Sequence, residues 1–456
     1  MAIWYKNVSF DGIWIDMSEV SSFCVGACGK HNLTSNPVHP DFSLPGEPGN
    51  LVLDFPEGFN LTNATEASSA SYAASTQATP IATSTSSSVS TTSTSSTSTS
   101  YIRTTPTPGV REINYPPYAI NNVQGDLAVH AVSPNATHHG GTQEYDFHNL
   151  NGHLILNATY EALLNIFPGL RPFIIGRSTF AGSGQVAGHW GGDNASKWYY
   201  MFFSIPQALS FSLFGIPMFG VDTCGFNGNS DMELCSRWMQ LSAFFPFYRN
   251  HNVLSALPQE PYVWAEVAEA TRSAMKIRYA LLPYMYTLFA KANSLGDTVM
   301  RALAWEFTDE PWLRDADRQF LLGPALMVAP VLAQGADTVG AVFPGAGKGT
   351  VWYDWYNGSS VSEGLKAGEN VTISAPLGHI PVYVRGGYVL PLQEPGMTTF
   401  ESRRNPWGLV VALDKDGSAK GELYLDDGES VKPEEVTWVQ VSPTLARSLT
   451  LLDGAY

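Results

Sequence analysis

The sequence predicts an α/β chain in which short buried parallel strands alternate with helices, followed by a β-sandwich-like appendage. Three observations carry this. Apolar runs ending in polar side chains occur at residues 11–19, 171–178 and 215–222, as expected of strands covered on both faces. Stretches of helical apolar spacing lie between and after them, as β/α alternation requires. Beyond about Arg301 the texture changes to short β segments punctuated by glycine.

The first run, Asp11-Gly12-Ile13-Trp14-Ile15-Asp16-Met17-Ser18-Glu19, surrounds one carboxylate with four apolar residues and adds a second carboxylate at Glu19. It reads as a buried strand with Asp16 at its end, where α/β sheets bind ligands; the competing reading is a turn cap. Pro37, Pro40, Pro45 and Pro48 then mark a loop, and residues 68–107 are nearly all Ser, Thr, Ala and Pro. Such a composition cannot offset the entropy of ordering itself, which predicts a disordered insertion over about residues 62–110, either O-glycosylated or a plain linker. Order returns near residues 145–150. Helical spacing covers residues 159–166, 232–244 and 265–292, where Ile277, Leu281, Tyr284 and Leu288 recur before Gly296 stops the run. Strands are predicted at residues 351–353 and 382–385, with a hairpin about Asp416-Gly417 joining residues 409–413 to 422–425. The expected division is a barrel part over residues 1–300, a proximal β-domain over 301–395 and the start of a distal β-domain over 396–456.

With 25 basic and 41 acidic side chains the formal net charge is −16, which repels nucleic acid and anionic membranes and suits a neutral ligand. Twelve Trp and twenty Tyr suit sugar stacking, although aromatics more often serve the core. No apolar run is long enough to span a membrane. Met1-Ala2-Ile3-Trp4-Tyr5-Lys6 has neither the basic nor the apolar region of a signal peptide. Yet Asn-x-Ser/Thr acceptors at Asn7, Asn32, Asn60, Asn63, Asn135, Asn157, Asn194, Asn357 and Asn370 predict a secreted protein whose true N-terminus lies upstream. Cys24, Cys28, Cys224 and Cys235 permit three pairings. They fall into two local pairs, which predicts Cys24–Cys28 and Cys224–Cys235. A structural zinc site wants both pairs about two to four residues apart, which the second is not.

The polar side chains at strand ends are Asp16, Arg177 and Asp222, joined by Arg249, Asn250 and His251 after the apolar residues 244–248. In a closed barrel they converge on one mouth. Residues 187–194 read as a loop whose glycines fold it tightly and aim His189, Trp190 and Asp193. Two carboxylates beside a Trp, with Arg and His around them, point to glycosidic bond cleavage: one attacks the anomeric carbon, and the other, protonated, donates to the leaving oxygen. An Arg beside Asp16 would keep it ionised, while Trp190 and distance from that Arg would favour the acid form of Asp193. The competing uses of such carboxylates are structure and a divalent metal, but no tight set of His and carboxylate ligands appears in the sequence.

The stretch from Asp11 to Glu19 closely resembles the nucleophile signature of glycoside hydrolase family 31, the family of lysosomal acid α-glucosidase, sucrase-isomaltase and fungal secreted α-glucosidases. Arg177-Ser178-Thr179-Phe180-Ala181-Gly182, Gly188-His189-Trp190-Gly191-Gly192-Asp193, Gly220-Val221-Asp222-Thr223-Cys224-Gly225-Phe226 and Arg249-Asn250-His251-Asn252 resemble its other signatures in order. The resemblance runs from Phe10 to about Gly428, broken by the insertion. It implies a partial (β/α)8 TIM barrel holding strands 4 to 8. It further implies Asp16 as nucleophile, Asp193 as general acid/base and Glu19 as a support behind Asp16. Arg177, Trp190, Asp222, Phe226 and His251 would line the subsite of the non-reducing sugar, and Cys224–Cys235 would match a disulfide of the relatives. The implied reaction is retaining hydrolysis of terminal α-glucosidic bonds in malto-oligosaccharides or related glucosides, without a cofactor. A glycan on Asn194 would block this pocket, so that acceptor is expected to stay unmodified.

Family members carry an N-terminal β-sandwich and three barrel strands ahead of the nucleophile strand, and a longer distal β-domain. An N-terminal fragment or subunit completing the barrel is therefore the expected partner. The alternative is a catalytically silent, secreted carbohydrate-binding or partner subunit that keeps the motifs without assembling the site.

Overall fold

The computed structural model describes residues 1–25 and 129–442. Strand β1 (Gly12–Ile15) is followed by a small antiparallel ladder of β2 (Ser21–Val25) with β3 (Val129–Ala131). Then come β4 (Phe173–Gly176), β5 (Gly188–Gly191), β6 (Phe219–Thr223) and β7 (Arg249–Asn250). These pair in parallel in the order β1-β4-β5-β6-β7, which is the predicted partial barrel. The register sets Ile15 beside Gly176, Gly176 beside His189, and Asp222 beside Arg249, so the polar residues that follow emerge at one end of the sheet. Among the described residues β1 and β7 are open edges; a closed TIM barrel needs eight strands.

The structure corrects three local expectations. Residues 187–194 are not simply a loop: β5 occupies the middle of the sheet and is wholly buried. Its glycines answer to packing, since a Cβ on Gly188 would lie 2.7 Å from Met218 and one on Gly191 2.7 Å from the Gln207 amide. The single helix expected over residues 265–292 is two, Ala265–Ala280 and Leu282–Leu295, broken at Leu281 with Pro283 in the first turn of the second. The turn around Asp416-Gly417 forms, but it joins strands that do not pair with each other. Among the C-terminal strands, β15 (Tyr388–Gln393) pairs with β16 (Trp407–Ala412), and β17 (Gly421–Leu425) with β18 (Thr437–Val441).

The predicted sandwich is built on the sheet β12-β14-β10-β9-β8, formed by β8 (Met300–Arg301), β9 (Phe320–Leu322), β10 (Leu326–Val328), β12 (Trp352–Asp354) and β14 (Val382–Arg385). Alternate residues serve two different cores, as the pleat dictates. Phe320, Leu322, Leu326, Val328, Val382 and Val384 join the barrel helices in one cluster with Phe219 and Trp238. Leu321, Met327 and Tyr383 face the opposite side, where the ladder of β11 (Thr338–Val342) and β13 (Asn370–Ser374) covers them. Arg237, buried on helix Met232–Ser242, fastens the layers by donating to the carbonyls of Ala336, Ala375, Pro376 and His379.

Cys224 and Cys235 form a disulfide, tying the segment after β6 to helix Met232–Ser242. Because it closes a short loop, replacing both cysteines by serine is expected to cost about 2–4 kcal/mol, read as a fall in the thermal midpoint. The Cys24–Cys28 pairing and the insertion over residues 62–110 lie outside the described residues.

Candidate active site

Each element delivers its side chain to the same end of the sheet. Asp16 follows β1, Arg177 follows β4, Asp193 stands two residues beyond β5, Asp222 lies in β6 and His251 follows β7. Arg177 is the hub. Its Nε and Nη2 grip Glu19 in a bidentate pair at 2.7 and 2.8 Å, the geometry in which Arg–carboxylate bonds are strongest. Its remaining nitrogen, Nη1, lies 3.0 Å from Asp16 Oδ1 and 3.9 Å from Asp193 Oδ2. Arg177 thus bridges Glu19 and Asp16. The hydrogen bonds from Arg177 hold the Glu19 carboxyl below its ordinary range, and Glu19 in turn raises Arg177.

The two other carboxylates have different surroundings. Burial raises Asp193 above the ordinary carboxylate range, with Arg177 opposing and the charge of Asp16 adding to the rise. The expectation that Asp193 stands clear of the Arg is therefore corrected: one guanidinium serves both carboxylates, and partial desolvation by the surrounding loops outweighs it. Burial likewise pushes Asp222 up to about 6, against the opposing Arg249. Arg249 Nη1 bonds Asp222 Oδ1 at 2.6 Å, while Oδ2 is buried without a partner among the described residues.

The sequence singled out Trp190, but the structure buries that indole in the wall, 3% exposed, with the 36% exposed Trp14 packed against it, ring centroids 3.9 Å apart. The Arg249 guanidinium lies 4.1 Å over the Trp14 ring. Trp14 was legible in principle: on a strand of period two it shares a face with Asp16. A Cβ on Gly192 would lie 2.2 Å from Trp190 Nε1, so glycine is what lets the chain pass the indole on its way to Asp193. His189 stacks on Phe211, which in turn stacks on Phe219, and is lowered by burial to about 4, a neutral wall residue. Phe226 and His251 stand together at the β7 side, ring centroids 5.3 Å apart, with His251 lowered by burial and by Arg249.

Three described non-glycine residues have left-handed backbone, Met17 (φ 54°), Asp193 (φ 56°) and Cys224 (φ 74°), and all follow the strands that form this mouth. Each such conformation costs about 1–3 kcal/mol and persists only where the surroundings impose it.

Comparison with known proteins agrees with this fold. Residues 1–288 match the glycosyl hydrolases family 31 TIM-barrel domain, and residues 296–390 match the glycosyl hydrolase family 31 C-terminal domain. The chain is 63% identical over 437 residues to an α-glucosidase of Aspergillus oryzae, covering 95% of this chain and 43% of that protein. It is 64% identical over 451 residues to an α-glucosidase of Aspergillus niger, covering 98% and 44%. The crystal structure of a DNJ-bound glucosidase II α subunit superposes with a TM-score of 0.65 at 34% identity, covering 69% of this chain and 34% of that one. The chain thus spans less than half the length of these relatives.

Proposed function

The chain belongs to glycoside hydrolase family 31, and from that premise we propose that it carries the catalytic carboxylates of a retaining, exo-acting α-glucosidase releasing terminal glucose from malto-oligosaccharides or related glucosides. Asp16 attacks the anomeric carbon while Asp193 protonates the departing glycosidic oxygen. Asp193, now a carboxylate, takes a proton from water as that water displaces Asp16 from the covalent glucosyl intermediate. Arg177 braces both carboxylates, Glu19 holds Arg177, and Trp14, Trp190, Asp222, Phe226 and His251 shape the sugar subsite. Residues 1–300 supply the barrel part, residues 301–395 the proximal β-domain and residues 396–456 the start of a distal one.

One observation carries this reading: the shared guanidinium nitrogen, 3.0 Å from Asp16 and 3.9 Å from Asp193. The two carboxylate oxygens can be no farther apart than those legs combined. That keeps the two carboxylates close and admits the ~5 Å spacing of retaining enzymes.

The partner is an N-terminal barrel half docking at the edge of β1. The greater length of the relatives supports it, as does the open edge of β1 among the described residues. Exposed acceptor asparagines at positions 7, 135, 157, 357 and 370 support secretion, and no described helix is long and apolar enough to cross a membrane. The open sheet edges favour one second reading, a silent carbohydrate-binding or partner subunit.

Co-expression with the N-terminal region of the Aspergillus niger relative separates the two. The reconstituted pair is expected to hydrolyse maltose and nitrophenyl α-glucoside, and proton NMR should show α-glucose as the first-formed sugar. Initial β-glucose would contradict double displacement, and a folded pair without activity would leave the silent subunit as the reading.

A further inference from the structure

We propose that Asn194 and Asn227 are positioning residues for Asp193, forming an interlocked pair of carboxamides that sets the height and direction of the acid/base carboxylate. This rests on the reading of Asp193 as acid/base.

The Asp193 side chain cannot fix its own direction. Arg177 at 3.9 Å is beyond hydrogen-bond reach, and among the described residues no donor is bonded to the carboxylate. Its aim therefore comes from the backbone, which is left-handed at that residue (φ 56°), a conformation that a residue bearing a Cβ keeps only when it is held. What holds it is the segment after β6. Asn194 Nδ2 donates to the carbonyl of Asp222 at 3.0 Å, and Asn194 Oδ1 accepts from the Phe226 N–H at 3.1 Å. The Asn194 carbonyl accepts from the N–H groups of Phe226 and Asn227 at 2.9 and 2.8 Å. In return, Asn227 Nδ2 donates to the carbonyl of Asp193 itself at 3.0 Å. Each carboxamide thus reaches from its own segment into the other.

The acid/base residue is thereby indexed to Asp222 and Phe226, which belong to the sugar subsite. The same bonds account for the Asn194 acceptor. Asn194 is 8% exposed, and its amide nitrogen, the atom a glycan would occupy, is committed to the Asp222 carbonyl. Asn135, Asn157 and Asn357 are exposed.

A staple that merely held the fold would lower every activity together, whereas a device that aims the acid affects only bonds whose breaking needs a proton. The test uses the reconstituted enzyme with two substrates, maltose and α-glucosyl fluoride, whose fluoride departs unprotonated. The readout is kcat/KM, which reports the steps through glucosyl-enzyme formation. In Asn227→Ala, at a half-buried site, and in the isosteric Asn194→Asp, kcat/KM for maltose is expected to fall about 100-fold, with a change under about threefold for the fluoride. Equal losses on both substrates, or none on either, would overturn the proposal. Asp193→Ala is the control: if it too loses both substrates equally, the acid/base reading has failed and the clasp falls with it. Glycan mapping by mass spectrometry gives a readout independent of activity and of whether either variant folds. Unoccupied Asn194 beside occupied Asn135 or Asn157 supports the clasp, and a glycan on Asn194 of active enzyme refutes it.

Discussion

Asp16→Asn is expected to lower kcat/KM of the reconstituted enzyme by about 10⁴-fold or more, on maltose and α-glucosyl fluoride alike. The substitution is isosteric and Arg177 stays anchored by its bidentate grip on Glu19, so the site should keep its shape while losing the oxygen that attacks carbon. Both substrates suffer because covalent capture precedes product release whatever the leaving group. A loss of that size is about 5 kcal/mol of transition-state stabilisation, more than removal of one hydrogen bond supplies. It therefore separates a nucleophile from a bystander carboxylate. A fluorinated glucosyl fluoride that forms a slow-turning intermediate should label Asp16 in the unsubstituted enzyme, located by peptide mass. Near-normal turnover in Asp16→Asn would remove the proposed mechanism.

The barrel strands were readable because a strand covered on both faces must be apolar along its length until it reaches the mouth, as β4 and β6 are. β1 is as apolar, but the expectation that it is buried is corrected, since it is only partly covered at its open edge among the described residues. β5 escaped because its sequence is Gly-His-Trp-Gly, and glycine is the residue least expected in a central strand. Its reason for being there, the close approach of Met218 and Gln207, is tertiary. Helix Trp198–Leu213 escaped for a related cause. It is buried on several sides and carries Pro206 within it, so no polar stripe exists for periodicity to register. The mispaired hairpin divides along the same line. The turn over Asp414 to Ser418 closes by local bonds, whereas the partner of β16 is chosen by long-range packing. At the site, strand ends announced Asp16, Arg177, Asp222 and His251. The ion pair of Arg249 with Asp222 and the two carboxamides bonded to backbone carbonyls are visible only once β6 lies beside β5 and β7.

Asp193→Ala is expected to act on the proton alone. As a general acid it works in its protonated form, and burial raises its pKa above the ordinary carboxylate value. Activity on maltose should therefore be present below that raised pKa and lost as pH rises through it. Asp193→Ala should remove this limb from the pH profile of kcat/KM and lower kcat/KM for maltose by about 10²–10⁴-fold, while α-glucosyl fluoride, needing no acid, stays near its original value. Turnover of the fluoride becomes limited by release of the glucosyl-enzyme, since the base that activates water has gone too. Azide, a nucleophile needing no base, should restore that second step. It enters from the face that Asp16 leaves open, so α-glucosyl azide is the expected product. In an Asp16→Ala variant, azide would instead occupy the nucleophile's own side of an α-fluoride and give the β-azide. The anomer of the trapped azide thus assigns the two carboxylates separately, and β-azide from Asp193→Ala would reverse the roles proposed for them.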